Sequence, residues 1–155
     1  MGLKLLGAVE SIRFDLLEWK LRNSAHIPIE KHNIPLALEE YKRFLSLKQT
    51  NPGVSLSPSE LMDAVWHIHI LDTKMYAKDC QEIFGRFLHH SPSYGLNELQ
   101  FENSRLKQAR NRMIYLYHQT YGDFPAGVTA SICSSACSGV DDFGPDPACG
   151  DDDDG

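Results

Sequence analysis

The stretch that decides the fold is residues 57–85, SPSELMDAVWHIHILDTKMYAKDCQEIFG. Its apolar residues recur at the spacing of a helix that buries one face. It begins with Ser57 as an N-cap, Pro58 at the first helical position and Glu60 at the third, which is the pattern of a capping box. Further along, Asp72 can cap a second helix that starts at Thr73. The stretch therefore predicts two consecutive helices that meet at Asp72.

The same spacing extends through residues 1–125, where β-branched residues never form a run. The predicted helices cover about residues 3–22, 35–50, 58–70, 73–88 and 96–121, with a linker at 23–35 and a loop at 89–95. The first of them offers an apolar stripe of Leu6, Val9, Ile12, Leu16, Trp19 and Leu21. A chain of 155 residues with 42% apolar side chains is long enough to bury one core. We predict an all-α fold, a single compact bundle of about five helices.

Residues 126–155 differ from the body in composition. They contain seven aspartates and no lysine or arginine, which leaves 14 acidic and 15 basic side chains in residues 1–125. The net charge of −6 therefore belongs to the tail, and the body is close to neutral. With so few large apolar residues, the tail cannot bury enough surface to offset its chain entropy. The sequence predicts a disordered, acidic, cysteine-containing tail after a domain that ends at residue 125.

Composition also excludes several classes of protein. No apolar run approaches the ~20 residues that a membrane span needs. The predicted last helix carries Arg105, Lys107, Arg110 and Arg112, but four scattered charges attract phosphates only weakly, so nucleic-acid binding ranks low. The N-terminus has neither a secretory nor a lipidation signal, and a cytoplasmic protein with reduced thiols is expected.

The predicted hairpin concentrates metal-ligating residues. Asp63 and His67 are four positions apart and share one helix face, whereas His69 lies about 200° around the helix from His67. If the chain reverses at Asp72, Cys80 comes to lie opposite His67, with Asp79 beside it. Asp63, His67 and Cys80 would then form a mixed oxygen, nitrogen and sulfur set that suits zinc or iron(II), with His69 and Asp79 as second choices.

His89 and His90 are further candidate ligands in the predicted loop. They follow Cys80 by about ten residues, or ~15 Å of helix, so they reach the same site only if the predicted fourth helix bends back or crosses steeply. If Thr73 does not interrupt the helix, Asp63, His67 and Cys80 spread along one rod and no single site forms.

Structural interpretations stand beside the metal hypothesis. Asp63 can simply orient His67 as a buried hydrogen-bonded pair, and Cys80 can be a small buried apolar residue. In the tail, Cys133, Cys137 and Cys149 make a weak zinc pattern that lacks a fourth ligand. The alternatives for the tail are a solvated acidic arm or a segment handled by a modifying or redox partner.

The motif resembles that of the glycine-rich domain-containing protein-like family, named for its plant members. The shared features are Asp63 three residues before Trp-His-x-His, then Leu-Asp-Thr, Asp-Cys, Phe-Gly and His-His-x-Pro, within residues 41–125. The plant members of that family are described in terms of development and stress responses, and a weak RNA-binding element has been proposed for them. The resemblance implies a similar role for this chain. Many members carry a glycine-rich C-terminal extension, and this tail departs from it with only five glycines in thirty residues.

Two functional hypotheses follow from the sequence. The first is a small cytoplasmic metal-binding domain built on Asp63 and His67, helped by Cys80 or by His89 and His90. The second is a helical interaction module in which the Trp-His-x-His segment is structural and the loop or tail meets a protein or peptide partner. The sequence leaves open whether the protein is an enzyme.

Overall fold

The computed structural model describes residues 7–91, 100–126, 128 and 140–142. Within these residues the chain forms six α-helices and two three-residue strands, which confirms the all-α fold class. The helices are α1 (Gly7–Glu10), α2 (Phe14–Asn23), α3 (Ile34–Thr50), α4 (Glu60–Leu71), α5 (Thr73–Phe84) and α6 (Gln100–Tyr121). A 3-10 turn, Lys31–Asn33, leads into α3, and the strands are β1 (His89–Ser91) and β2 (Val140–Asp142).

The predicted first helix is broken, and this changes which of its residues are buried. The chain leaves the helical path between α1 and α2, where the Ser11 hydroxyl donates to the Ala8 carbonyl over 2.7 Å. Leu17 and Leu21, four positions apart on α2, face the core. Leu16 and Trp19 were expected in the apolar stripe, but they are 44% and 64% exposed. Because of this break, the face of α2 that meets the core differs from the face that one continuous helix would bury.

The start of α4 corrects the predicted cap by two residues. The N-cap is Ser59, whose hydroxyl accepts from the Met62 amide over 3.3 Å, while the Met62 sulfur accepts from the Ser59 amide over 3.4 Å. Ser57 instead lies buried before the helix, and its amide donates to the Ala109 carbonyl of α6. The predicted cap residue therefore joins α4's entry segment to α6.

Asp72 joins α4 to α5 as predicted, and its side chain accepts from the Met75 amide over 3.2 Å. The far end of α5 differs, since the helix stops at Phe84 rather than near residue 88. Gly85 takes a left-handed conformation, φ 71°, and its amide donates to the Gln81 carbonyl. A glycine in this conformation ends a helix without steric cost. The chain therefore turns back about one helical turn earlier than expected.

The core lies where α3 packs against α2 and α4. Its largest fully buried side chains include Trp66, Tyr41, Phe44 and Tyr76. α6 docks on α3 through the buried Tyr117, whose hydroxyl donates to the Glu40 carboxylate over 2.8 Å. α6 ends at Tyr121, before Gly122 with φ 81°, as predicted. None of the helices in the described residues is both long enough and apolar enough to cross a membrane.

Little of the tail belongs to the described residues. Val128 is buried against the core, and β2 pairs antiparallel with β1, so that His90 is opposite Asp141. The rest of residues 129–155, including Cys133, Cys137 and Cys149, lies outside the described residues. The predicted disorder and the weak cysteine site therefore stay predictions.

Candidate metal centre

Three potential ligand atoms converge on one point beside α4. The Asp63 Oδ1 atom lies 2.8 Å from the His90 Nε2 atom, and the two Nε2 atoms of His67 and His90 are 3.0 Å apart. The Asp63 Oδ2 atom lies 3.4 Å from the His67 Nε2 atom. Among the described residues, this is the group of carboxylates, imidazoles and thiols whose ligand atoms are close enough to hold one ion.

Local structure explains why these residues meet. Asp63 and His67 are one turn apart on α4, so their side chains project from the same face. His90 arrives from β1, because the early end of α5 at Gly85 sends the chain back toward α4. The His90 ring packs against the Trp66 ring with 4.4 Å between centroids, which fixes its position over α4. The sequence predicts that His90 reaches this site only if the fourth helix itself bends back or crosses steeply, but the structure brings His90 to α4 because α5 ends at Phe84 and the chain turns after Gly85.

The spacing of these atoms is compatible with a bound ion as well as with hydrogen bonds. Ligands at about 2.0–2.2 Å from one ion are separated from each other by about 3–3.5 Å, close to the observed distances. Without an ion, the His90 Nε2 atom can carry one proton at most in a neutral ring, yet it faces both the Asp63 carboxylate and the His67 Nε2 atom. An ion would accept lone pairs from all three groups at once.

The three side chains differ in exposure. His67 is 54% exposed, while Asp63 and His90 are 15% and 9% exposed at their side chains. Two ligands are therefore fixed by the fold and the third is open to solvent. Three protein ligands leave further coordination positions free, as in catalytic rather than structural metal sites.

A cavity of about 620 Å³ adjoins the cluster. Asp63 and His67 form part of its wall, together with residues of the segment before α3, of α3 and α4, and of the first tail residues. These other residues are His26, Ile27, Pro28, Asn33, Leu36, Glu60, Leu61, Ala64, Ile68, Ala126 and Val128. No sequence signal pointed to this cavity, because its walls come from segments far apart in the chain.

Two other candidate ligands, Cys80 and Asp79, lie outside the cluster of Asp63, His67 and His90. Cys80 is 1% exposed within the apolar core, and burial raises the pKa of its thiol. Asp79 is bonded to His69, not to His67. The expected pairing of Cys80 with His67 fails because α4 turns the face of Trp66 and His69 toward α5, while His67 points away. Distance from the turn alone does not determine which side chains meet between two helices.

His69 belongs to a buried polar chain that crosses three helices. Its Nε2 donates to the Asp79 carboxylate over 2.8 Å, and its Nδ1 accepts from the Tyr41 hydroxyl over 2.8 Å. Burial lowers the pKa of His69, and the Asp79 hydrogen bond opposes this effect. The ring is therefore held neutral, with both nitrogens satisfied. This is the structural histidine of the motif.

A second buried contact anchors the chain that carries His90. The Trp66 indole donates to the Tyr76 hydroxyl over 3.0 Å, and the Tyr76 hydroxyl donates to the Leu88 carbonyl. Leu88 itself is fully buried. His89 alternates to the other face of β1, where it is exposed and its ring contacts Phe87 at 4.8 Å. Of the histidine pair, the structure brings only His90 to Asp63 and His67.

The fold and the cluster define the class: a small helical domain with one carboxylate and two imidazoles gathered beside a cavity. The chain belongs to the UCP032817-like family, whose sequence profile matches residues 8–115. The resemblance to the glycine-rich domain-containing protein-like family is therefore wrong. Its motif residues are explained by this fold, with Trp66 and His69 in the core. No curated protein and no solved structure matches the chain significantly.

Proposed function

We propose that this domain binds one divalent transition-metal ion, zinc or iron(II), through Asp63, His67 and His90. The observation that carries the proposal is the convergence of their ligand atoms, one from each residue and all within 4.8 Å of one another, from α4 and β1. Two imidazoles and one carboxylate suit both metals. The proposal keeps the cytoplasmic location expected from the sequence.

The open side of the cluster favours a site that acts on a ligand over a purely structural one. A metal ion in such a site supplies Lewis acidity to whatever occupies its free positions. Asp63 and His90 are held by packing and would fix the ion, while the exposed His67 completes the set on the cavity side. Metal-dependent chemistry on a small molecule is therefore part of the proposal.

The burial of the two α4 histidines argues against a purely structural Asp63–His67 pair. A structural pair is expected to be buried and fully satisfied, as His69 and Asp79 are. His67 is more than half exposed, so packing does not account for its contact with Asp63 and His90. The interaction-module hypothesis has no comparable observation in its favour.

The test is metal binding by protein prepared without a histidine tag and stripped of metal. After dialysis against Zn²⁺, or against Fe²⁺ without oxygen, we expect about one ion per chain by elemental analysis. Asp63→Ala, His67→Ala and His90→Ala should each weaken binding at least as strongly as the loss of an outer-shell partner, about 10–100-fold. A folded parent protein that binds no metal contradicts the proposal.

Control variants separate this site from the other candidates. His89→Ala and Cys80→Ala should retain one ion per chain, because neither side chain reaches the cluster. A variant with Cys133, Cys137 and Cys149 all changed to serine should also retain it. Loss of the ion in the cysteine variant, with retention in Asp63→Ala, would move the site to the tail and refute the proposal.

A further inference from the structure

We propose that the cavity beside Asp63 and His67 binds a small organic monoanion with an apolar body, such as a medium-chain carboxylate, whose oxygen end meets the metal ion. This inference rests on the proposed metal site and adds the chemical class of its ligand. Its three supports are the cavity's size, the apolar character of its walls and the charge expected at the proposed ion.

The cavity has the size of a small-molecule site. Its volume of about 620 Å³ falls within the roughly 300–1,000 Å³ typical of ligand pockets. Ala126 and Val128 already form part of the wall, so the cavity persists with the start of the tail in place. The cavity is therefore not a groove that Ala126 and Val128 would fill.

Its walls are mainly apolar. Ile27, Leu36, Leu61 and Ile68 line it and are each only half-buried, so they offer apolar surface that the fold itself does not cover. Covering such surface with a hydrocarbon chain favours binding, and each further buried methylene adds to the effect. These residues would bind the apolar body of a ligand.

The charge near the proposed ion determines which polar end of a ligand fits the cavity. A divalent ion held by one carboxylate and two neutral imidazoles keeps one net positive charge, so the carboxylate oxygen of a ligand can complete its coordination. Among the described lining residues there is no lysine or arginine, while Glu60 adds a second carboxylate. Phosphate groups are usually bound by arginine or lysine, so this cavity disfavours phosphorylated ligands.

The test uses protein loaded with Co²⁺, whose visible spectrum reports on a ligand at the ion. Octanoate should change this spectrum and should bind about tenfold or more tightly than acetate, because its longer chain covers the apolar wall. Octyl phosphate should bind more weakly than octanoate. Removal of the metal should weaken the binding of both carboxylates, because their oxygen end then has no ion to meet.

Two tryptophan variants on α4 locate the binding site. Ile68→Trp narrows the cavity at its apolar wall and should weaken octanoate binding about tenfold or more while one Co²⁺ per chain is retained. Leu71→Trp is the matched control, since Leu71 is 72% exposed outside the cavity lining, and it should bind octanoate normally. Retained Co²⁺ shows that each variant is folded at the site.

The outcomes distinguish the two proposals. If Co²⁺ binds but octanoate binds no better than acetate, or octyl phosphate binds best, the ligand inference is overturned and the metal site stands. Equal octanoate affinity in Ile68→Trp and the parent protein also overturns it. If no metal binds, the metal site fails, and the inference fails with it.

Discussion

At the scale of single residues, His67 and His69 show how neighbouring histidines of one helix take different roles. His67 is 54% exposed at its side chain and touches Asp63 and His90, whereas His69 is 2% exposed and bonded to Tyr41 and Asp79. Two positions along a helix reverse the direction of a side chain. The first histidine is available for a ligand, and the second holds α3, α4 and α5 together.

These different roles of His67 and His69 predict that alanine substitutions at the two positions differ strongly in their effect on stability. His69→Ala should lower the free energy of unfolding by about 2–4 kcal/mol, because it leaves a cavity and unpaired buried groups on Tyr41 and Asp79. His67→Ala should change it by less than about 0.5 kcal/mol, as expected for an exposed side chain. Urea unfolding of the metal-free proteins measures both. Similar losses in the two variants would show that the assigned roles are wrong.

At the scale of elements, the turn between α4 and α5 depends on one carboxylate. The Asp72 side chain accepts from the Met75 amide at the first turn of α5. An N-cap of this kind stabilises a helix by satisfying an amide that has no partner within the helix. It also fixes the point at which the chain reverses direction.

Asp72→Ala should therefore cost about 1 kcal/mol of folding stability. Asp72→Asn is the control, because asparagine caps a helix about as well as aspartate and should preserve most of this energy. Thermal or urea unfolding of the three proteins without metal gives the comparison. Equal destabilisation by alanine and asparagine would indicate that the charge of Asp72 matters, not its cap.

How much of the fold could be predicted from the sequence depended on whether the signal was local. Asp72 and Gly122 are local features that placed the start of α5 and the end of α6 correctly, and periodicity predicted the helices themselves, although the start of α4 was placed two residues too early. Gly85 was also visible, but its left-handed conformation depends on where the following segment packs. The end of α5 was therefore placed too late.

The candidate site also combines features that depend on local sequence with features that depend on tertiary packing. The Asp63–His67 pair follows from helical spacing alone, and the structure places them together. The approach of His90 depends on Gly85, Trp66 and the burial of Leu88, which are tertiary effects. Cys80 was misplaced because the rotation of α4 about its own axis decides which face meets α5, and a sequence pattern does not reveal that rotation.

At the scale of the whole molecule, a buried lysine links folding to pH. Lys48 of α3 is fully buried and its ammonium donates to the Val54 carbonyl in the segment before α4. Burial, and secondarily the charge of Arg86, lowers the pKa of Lys48 to about 7. In the unfolded chain a lysine has a pKa of about 10.4.

Between these two values the unfolded chain binds more protons than the folded one, so stability increases as pH rises. We expect the free energy of unfolding to rise by about 1–2 kcal/mol between pH 7.5 and 9, and Lys48→Met to remove this rise. Lys78→Met is the control, because Lys78 is 75% exposed at its side chain and should leave the dependence unchanged. An identical pH dependence in Lys48→Met and the parent protein would contradict this reading of Lys48.

The position of His90 has a consequence for how long the folded protein survives. His67 and His90 are 23 residues apart in the chain, and one ion between them would close the whole α4–α5 hairpin into a ring. An unfolded chain has no such preformed site, so occupancy favours the folded state in proportion to the free ion concentration. The supply of metal in the cell would then set the fraction of this chain that is open to proteases, and starvation for the ion would shorten its lifetime.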